Sequence, residues 1–458
     1  MNKKNLYIET YGCQMNFSDS EIVAAVLQDE YKVVEQPQGA DLILINTCSI
    51  RDNAEQRVLK RLAELNALKK GNNQLRIGMI GCMAERMKDD LFQTGKVDLV
   101  VGPDAYRDFP SILHEESDFP LHVLLSEVET YDDIEPVRYG SNGISAFISI
   151  MRGCNNFCAY CVVPYTRGRE RSRPPATIIA EAEKLFAAGY REITLLGQNV
   201  NSFSYKDFNF AKLAAAVAGI NPLLRVRFAT SHPKDLSDEL LAAMAAYPNI
   251  CKSIHLPAQS GSDRILQLMN RKYTRRQYLD SIARIRKYMP DCTISTDIIA
   301  GFSTETQADH ADTLSLMQAA EFDYAFTFKY SLREGTSAHK NLQDDVPETL
   351  KTQRLEEIIA LQQTLSLQSN RADIGKTFEV LIEGASKRSP AHFYGRNSQN
   401  KVIVFPKEDC KAGEYASVCV KKCTSATLIG AVVPIDEKSV SSQKEPRTSV
   451  FDKILTVK

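Results

Sequence analysis

The sequence predicts an α/β chain of three units: an N-terminal parallel sheet with helices on its faces, a partial (β/α)6 barrel, and a small all-β barrel at the C-terminal end. Strand-like and helix-like patterns alternate from Asn5 to about Pro120, and again on a longer scale from Ile144 to about Arg371. Such alternation implies parallel sheets covered by helices. From about Ala372 to Ile435 the helical period disappears, and short β patterns with turn residues between them take over. The 458 residues, 43% hydrophobic and 25% charged, suffice for several cores.

In chain order, "NLYIETYG" and "LRIGMIG" read as strands, and "ADLILIN" is an unbroken apolar run, as a parallel strand buried on both faces requires. "SDSEIVAAVLQDE" has Ser18 and then Glu21 three residues on, which predicts a helix opening on a capping box. "RDNAEQRVLKRLAELNALKK" sets Val58, Leu62, Leu65 and Leu68 on one helical face. An acidic stretch, punctuated by Pro136, Gly140 and Gly143, predicts a linker. The domain scheme is 1–120, an acidic linker 121–143, the barrel 144–371, the β unit 372–435 and a polar tail 436–458.

The barrel strands are "AFISIM", "EITLLGQ", "RVRFATS", "KSIHLPAQ", "TISTDIIAG" and "YAFTFKY", with helices such as "PATIIAEAEKLFAAG" and "SDELLAAMAAY" between them. A closed barrel would need about eight such units. In the last unit, "KTFEVLIEGAS", "HFYGRN", "NKVIVFP" and "EYASVCVKKCTSATLIGAVV" predict roughly five strands.

Composition narrows the function. No apolar run reaches the roughly 18 residues of a membrane span, and "MNKKNLYIETYG" is too polar for a signal peptide. A cytoplasmic protein is expected, and there eleven cysteines argue against a disulfide framework. The net charge of −1 creates no global field for a polyanion, but the charge is uneven. Arg264–Lys287 carries eight Lys/Arg against one acid, and Met151–Arg173 five against one. Local patches of this kind set where a polyanion docks, although solvated helix faces look the same.

The cysteines carry the chemistry. "CNNFCAYC" places Cys154, Cys158 and Cys161 in a C-x3-C-x2-C spacing. A structural zinc site would want four ligands, and disulfides an even number. Cys13, Cys48 and Cys82 each follow a predicted strand, and the carboxyl ends of parallel strands are where loops converge on a ligand. Helix starts after them would help stabilise thiolates; the alternative is three buried structural cysteines. Thiolates suit iron–sulfur clusters and zinc. A trio leaves one metal position open, where a substrate or cofactor can bind. Cys251, Cys292 and Cys410 read as small hydrophobes, and Cys419 and Cys423 lack partners. His232 and His255, at strand ends, read equally as active-site or core histidines.

"CNNFCAYC" resembles the signature of the radical S-adenosylmethionine (SAM) enzymes. With it, "TYGCQMNFSDSE", "NTCSIRDNAEQRV", "IGCMAERM" and "RGCNNFCAYCVVPYTRGRERSR" resemble the radical SAM methylthiotransferases of the MiaB type over nearly the whole chain. The resemblance implies a TRAM-like RNA-binding barrel at the C-terminal end and two [4Fe–4S] clusters. Cys154, Cys158 and Cys161 would hold the cluster that chelates SAM, and Cys13, Cys48 and Cys82 an auxiliary cluster that carries sulfur. Tyr160, Gln198, Asn199 and Asp297 become candidate SAM contacts. The implied reaction puts a methylthio group on carbon 2 of N6-isopentenyladenosine beside the anticodon of a tRNA stem-loop. The implied partners are that tRNA, a flavodoxin- or ferredoxin-like electron donor, and a sulfur carrier.

That C–H bond lies beyond general acid–base catalysis, which contributes about 10²–10⁴-fold, so a cofactor must supply the chemistry. Both clusters are then expected to face one cavity between two domains. Phosphate contacts are expected from the Arg167–Arg173 run and the Arg271–Lys287 stretch. In the small barrel, Phe393, Tyr394 and Arg396 read as a stacking surface, to which Lys387, Arg388, Lys421 and Lys422 add positive charge. Two alternatives stay open: a methylthiotransferase acting on another modified adenosine or a ribosomal protein residue, and a non-catalytic Fe–S sensor that binds RNA.

Overall fold

Six parallel strands build the N-terminal sheet, in the spatial order Tyr31–Val33, Lys4–Tyr11, Leu42–Thr47, Arg76–Ile80, Leu99–Val101, Leu121–His122. The computed structural model describes residues 3–48, 52–115 and 120–434; the tail expected at 436–458 lies outside them. Every residue of Leu42–Thr47 is buried, because helices cover both sheet faces. Helix Asp52–Asn66 lays Val58, Leu62 and Leu65 against the sheet. The chain starts at an inner strand, adds one neighbour, then returns to the other side. That reversal makes a crevice between the carboxyl ends of Lys4–Tyr11 and Leu42–Thr47.

Two expectations are corrected here. The first helix runs Gln14–Val26, with Cys13 rather than Ser18 at its N-cap. Ser18 is buried within the helix, and Glu21 pairs with Arg138 instead of closing a capping box. Tertiary contacts override the local motif. The stretch 121–143 is a structured strap, not a loose tether. Leu121–His122 extends the sheet, and Tyr131 is buried, stacks on Tyr106 at 5.8 Å and donates to the Pro103 carbonyl at 3.0 Å. Arg138 then donates to the Phe147 carbonyl at 2.9 Å, tying the strap to the first barrel strand.

All six expected barrel strands form. Arg225–Ala229, Glu192–Leu196 and Ser145–Ser149 pair in parallel, as do Ser253–His255, Thr293–Ala300 and Tyr324–Lys329. A bridge between Val226 and Ile250 joins the two sets. Helix Glu348–Arg371 leads into a closed five-stranded barrel: Thr377–Ser386, Ser389–Arg396, Val402–Pro406, Leu428–Val432 and Tyr415–Cys423, in order around it. This barrel docks under the amino ends of the core strands. Arg227 Nη2 donates to the Asn397 carbonyl at 2.7 Å, and Thr293 Oγ1 to the Gln399 carbonyl at 2.7 Å.

The N-terminal sheet and the core barrel meet through buried charge. Arg152 reaches Asp19 at 2.8 Å, Arg167 reaches Asp19 at 2.7 Å, and Arg171 reaches Asp104 at 2.8 Å. Arg152 also stands over the Tyr131 ring at 4.8 Å. All five charged side chains are withdrawn from water. Removing one partner of such a set strands the other, at a cost of about 3–5 kcal/mol. Asp104→Asn is therefore expected to lower the unfolding free energy of the N-terminal unit by an amount in that range, read as a lower urea midpoint. An unchanged midpoint would show that Arg171 is stabilised by its carbonyl partners alone.

Candidate functional site

The three N-terminal cysteines sit where the topology makes its crevice. Cys13 follows Lys4–Tyr11, Cys48 follows Leu42–Thr47, and Cys82 follows Arg76–Ile80 and opens a short helix. Two glycines let them approach. Gly12 has φ +120°, and a Cβ there would lie 2.6 Å from Cys48 Cβ; Gly81 has φ +88°, and its Cβ would meet Asn46 Oδ1. Beneath the thiols lies a buried polar layer. Asn16 Nδ2 donates to Asn46 Oδ1 at 3.0 Å, and Asn46 Nδ2 donates to the Asn16 carbonyl at 2.8 Å. Cys13 Sγ donates to Asn16 Oδ1 at 3.2 Å. The Cys13 thiol is made more acidic by a hydrogen bond from Cys48 and by the nearby Arg167 charge, while Cys48 and Cys82 are pushed up, Cys82 chiefly by burial.

The second trio lies in the loop after the first barrel strand. The Asn156 amide donates to Cys154 Sγ at 3.5 Å, and the Cys161 amide to the Cys158 carbonyl at 2.9 Å. Asn270 Nδ2 holds the Phe157 carbonyl at 2.8 Å, where the backbone turns through φ +47°. Arg271 is buried and donates from Nη1 to Cys158 Sγ at 3.3 Å. Burial pushes the Cys154 and Cys161 thiols up, so an electropositive partner is needed to keep them as thiolates.

A cavity of about 200 Å³ lies between the two domains; contrary to expectation it is lined by only one trio, since Cys154, Cys158 and Cys161 are not in its wall. Its walls are Cys13, Cys48 and Cys82 on one side. On the other are Val162, Val163, Thr166 and Arg167, which directly follow Cys161, together with Gln198 and Thr230 at barrel strand ends. Among the described residues no three His, Cys, Asp or Glu side chains close to the spacing of a single-ion site. An all-thiolate donor set is what iron–sulfur clusters take. Gln198 Oε1, Asn199 Oδ1 and Ser231 Oγ are buried without partners. Orphan acceptors at strand ends leave hydrogen-bonding capacity for a polar ligand. The residues present therefore fit both a cluster and a polar cofactor.

The other SAM-contact candidates are placed differently. Asn199 turns its Nδ2 to Asp235 at 2.7 Å. Asp297 lies mid-strand inside the barrel, 3.5 Å from His255 Nε2. Tyr160 is half-buried against the apolar group that includes Ile265 and Phe302. His232 accepts the Lys234 amide on Nδ1 and packs against the Tyr273 ring. Burial, Arg271 and Lys234 push its pKa down to about 2, so it is neutral.

The basic run 167–173 does not offer phosphate contacts as expected. Arg167, Arg171 and Arg173 are 2%, 6% and 4% exposed and pair with Asp19, Asp104 and Glu181. Within that run only Arg169 is an exposed arginine. Arg271 is likewise internal. Arg396 pairs with Glu383 at 2.7 Å, and its carbonyl accepts Arg225 at 2.6 Å, so it faces the domain contact. Lys272, Arg276, Lys287, Lys387, Arg388, Lys421 and Lys422 are exposed. Cys251 and Cys292 are buried, as small core residues should be, and all eleven cysteines are free thiols. Sequence reasoning missed Asn16 and Asn46, and it gave to phosphate the Arg167 and Arg271 that the fold turns onto cysteine sulfurs. The polar run "NFSDS" at a helix start and the glycine–cysteine pairs were the only local signals.

Three family profiles match in order: Uncharacterized protein family UPF0004 over residues 5–102, the Radical SAM superfamily over 148–317, and the TRAM domain over 371–433. The fold points the same way. A radical SAM methyltransferase from Kitasatospora setae, TsrM, superposes with TM-score 0.55 at 13% identity over 74% of this chain and 77% of its own. The cobalamin-dependent SAM radical enzyme OxsB does so with TM-score 0.51 at 12% identity, over 79% and 56%. Fold, cysteine loop and profiles together define a radical SAM enzyme with an attached TRAM barrel. The tRNA-2-methylthio-N(6)-dimethylallyladenosine synthase of Bacteroides fragilis is 54% identical over 94% of this chain and 96% of its own. That of Porphyromonas gingivalis is 54% identical over 94% and 95%. The chain belongs to the family of these synthases.

Gly12→Ala is expected to push Cys48 away from Cys13. Iron and sulfide in the reconstituted chain should fall by about one cluster's worth, with one cluster's signal surviving in the EPR spectrum; full loading would show that the loop can yield. His232 titrates at about 6.5 once unfolded and at about 2 in the fold. Its contribution to stability is therefore complete above about pH 6.5 and declines as pH falls toward 2. The slope is about 1.4 kcal/mol per pH unit well below 6.5. His232→Asn should flatten that part of the acid denaturation profile, and an equally steep profile would contradict the burial argument.

Proposed function

We propose that Cys154, Cys158 and Cys161 hold the [4Fe–4S] cluster that binds SAM. In this reading Cys13, Cys48 and Cys82 hold the sulfur-bearing auxiliary cluster, and the cavity between them receives carbon 2 of N6-isopentenyladenosine in a tRNA anticodon loop. The observation that carries the reading is the shared cavity, with one trio in its wall and the segment directly following the other trio opposite. When bound, the two clusters and SAM supply the hydrogen abstraction, the sulfur and the methyl group.

The chain's own residues bind, orient and exclude water. Gln198 and Ser231 carry the free acceptors for the cofactor's polar groups. Val162, Val163 and Met15 form apolar wall, which keeps water from a reactive carbon centre. A loop nucleotide reaches such a site at modest unstacking cost. The exposed Lys387, Arg388, Lys421 and Lys422 suit the flanking phosphates. A flavodoxin- or ferredoxin-like protein would supply the electron and a sulfur carrier would restore the auxiliary centre, in the cytoplasm. Among the described residues no helix is long and apolar enough to cross a membrane.

Cys154→Ala, Cys158→Ala or Cys161→Ala is expected to abolish 5′-deoxyadenosine formation. Cys13→Ala, Cys48→Ala or Cys82→Ala should spare part of it while abolishing methylthiolated product. Nucleoside mass spectrometry of tRNA from a strain lacking the gene should show the 2-methylthio mark gone and the isopentenyl group kept. Methylthiolated tRNA from the Cys13→Ala enzyme would overturn the sulfur-site assignment. Reduced protein that leaves SAM intact would favour a sensor.

A further inference from the structure

We propose that Arg167 is a positioning residue that sets the charge of the Cys13–Cys48–Cys82 centre and holds an anionic sulfur on its open side. The inference rests on the assignment of a sulfur-bearing cluster to those cysteines. Arg167 belongs to the barrel, six residues beyond Cys161, yet its Nε donates across the domain boundary to Cys82 Sγ at 3.1 Å. Nη2 donates to Asp19 at 2.7 Å and reaches Asn16 Oδ1 at 3.5 Å. Asn16 in turn accepts the Cys13 thiol. One guanidinium thus touches one cysteine directly and a second through Asn16.

Two further observations point to an anion beside it. Nη1 is buried and has no partner, although Arg167 lines the cavity. The surrounding network is also unbalanced in charge. Arg152, Arg167 and Arg171 share only Asp19 and Asp104. Glu85 pairs with Lys88, and Glu129, which also lies near Arg152, is held by Arg107. In direct ion-pair contact three guanidinium groups share two carboxylates, and Arg167 is the member that contacts a sulfur. Buried charge of this kind persists only when something opposite meets it. Thiolates and a hydrosulfide or other anionic sulfur on the open side would meet it. N–H donors to such sulfurs, and positive charge near them, raise the reduction potential of an iron–sulfur cluster.

The test uses the full-length chain carrying Cys154→Ala, Cys158→Ala and Cys161→Ala, so that one cluster remains for an EPR-monitored redox titration with and without sodium hydrosulfide. Arg167→Gln is expected to move the midpoint potential down and to weaken hydrosulfide binding at least tenfold. Arg167→Lys, which keeps the charge but not the planar donors, should move the potential less. Asp19→Asn, which loosens the same network while deleting a negative charge, should move it up. A merely structural arginine would give no such opposition of sign. If Arg167→Gln prevents cluster assembly, the comparison of Arg167→Lys with Asp19→Asn decides by the same signs. An unchanged potential in an intact cluster, or shifts in one direction for both residues, would overturn the proposal. If no cluster assembles in the parent chain, the cysteine assignment itself fails, and the inference with it.

Discussion

The two halves of the site are held in register by the buried pairing of Arg152 and Arg167 with Asp19. Asp19 lies on the helix that Cys13 opens, and Arg167 lies on the segment that Cys161 opens. A carboxylate and two guanidinium groups withdrawn from water have few acceptable alternatives. Sliding one domain against the other would leave a charge unpaired in the interior, which is far more costly than breaking a surface pair. The interface therefore behaves as a fixed joint. The strap through Tyr131 and Arg138 works in the same sense, since Tyr131 stacks under Arg152 and Arg138 bonds both domains.

Given that joint, the site follows from topology. Parallel strands deliver their loops to one edge, and the reversal of strand order opens a crevice there. Cys13 and Cys48 flank that reversal and Cys82 stands one strand further on. The barrel presents its own strand ends, at Gln198 and Thr230, to the same space. Neither domain by itself closes the cavity. Its three thiols come from one and the unpartnered Gln198 oxygen from the other.

The small barrel is anchored at the opposite end of the core strands, through Arg225, Arg227 and Thr293. An RNA that uses both the exposed lysines of that barrel and the cavity must run along the side of the molecule. The docking grips the Arg396 backbone carbonyl, while its partly exposed side chain is held by Glu383. Arginines crowded near a cysteine motif are here the cement between domains, whereas Lys387, Lys421 and Lys422 stay exposed.

The alternating apolar patterns were enough to place the three sheet types, and the spacing of Cys154, Cys158 and Cys161 was enough to single out that loop as a candidate metal centre, because both depend on local periodicity and short-range geometry. Val58, Leu62 and Leu65 fell on the buried face as their spacing required. Tertiary structure decided what charge and polarity would do. The run 167–173 reads as a polyanion site until Asp19 and Asp104, about 150 and 65 residues earlier in the chain, are seen to neutralise most of it. Ser18 reads as a cap until the helix is seen to start at Cys13. A charged or polar side chain takes its meaning from partners distant in sequence, and only the folded chain brings those partners within hydrogen-bonding reach.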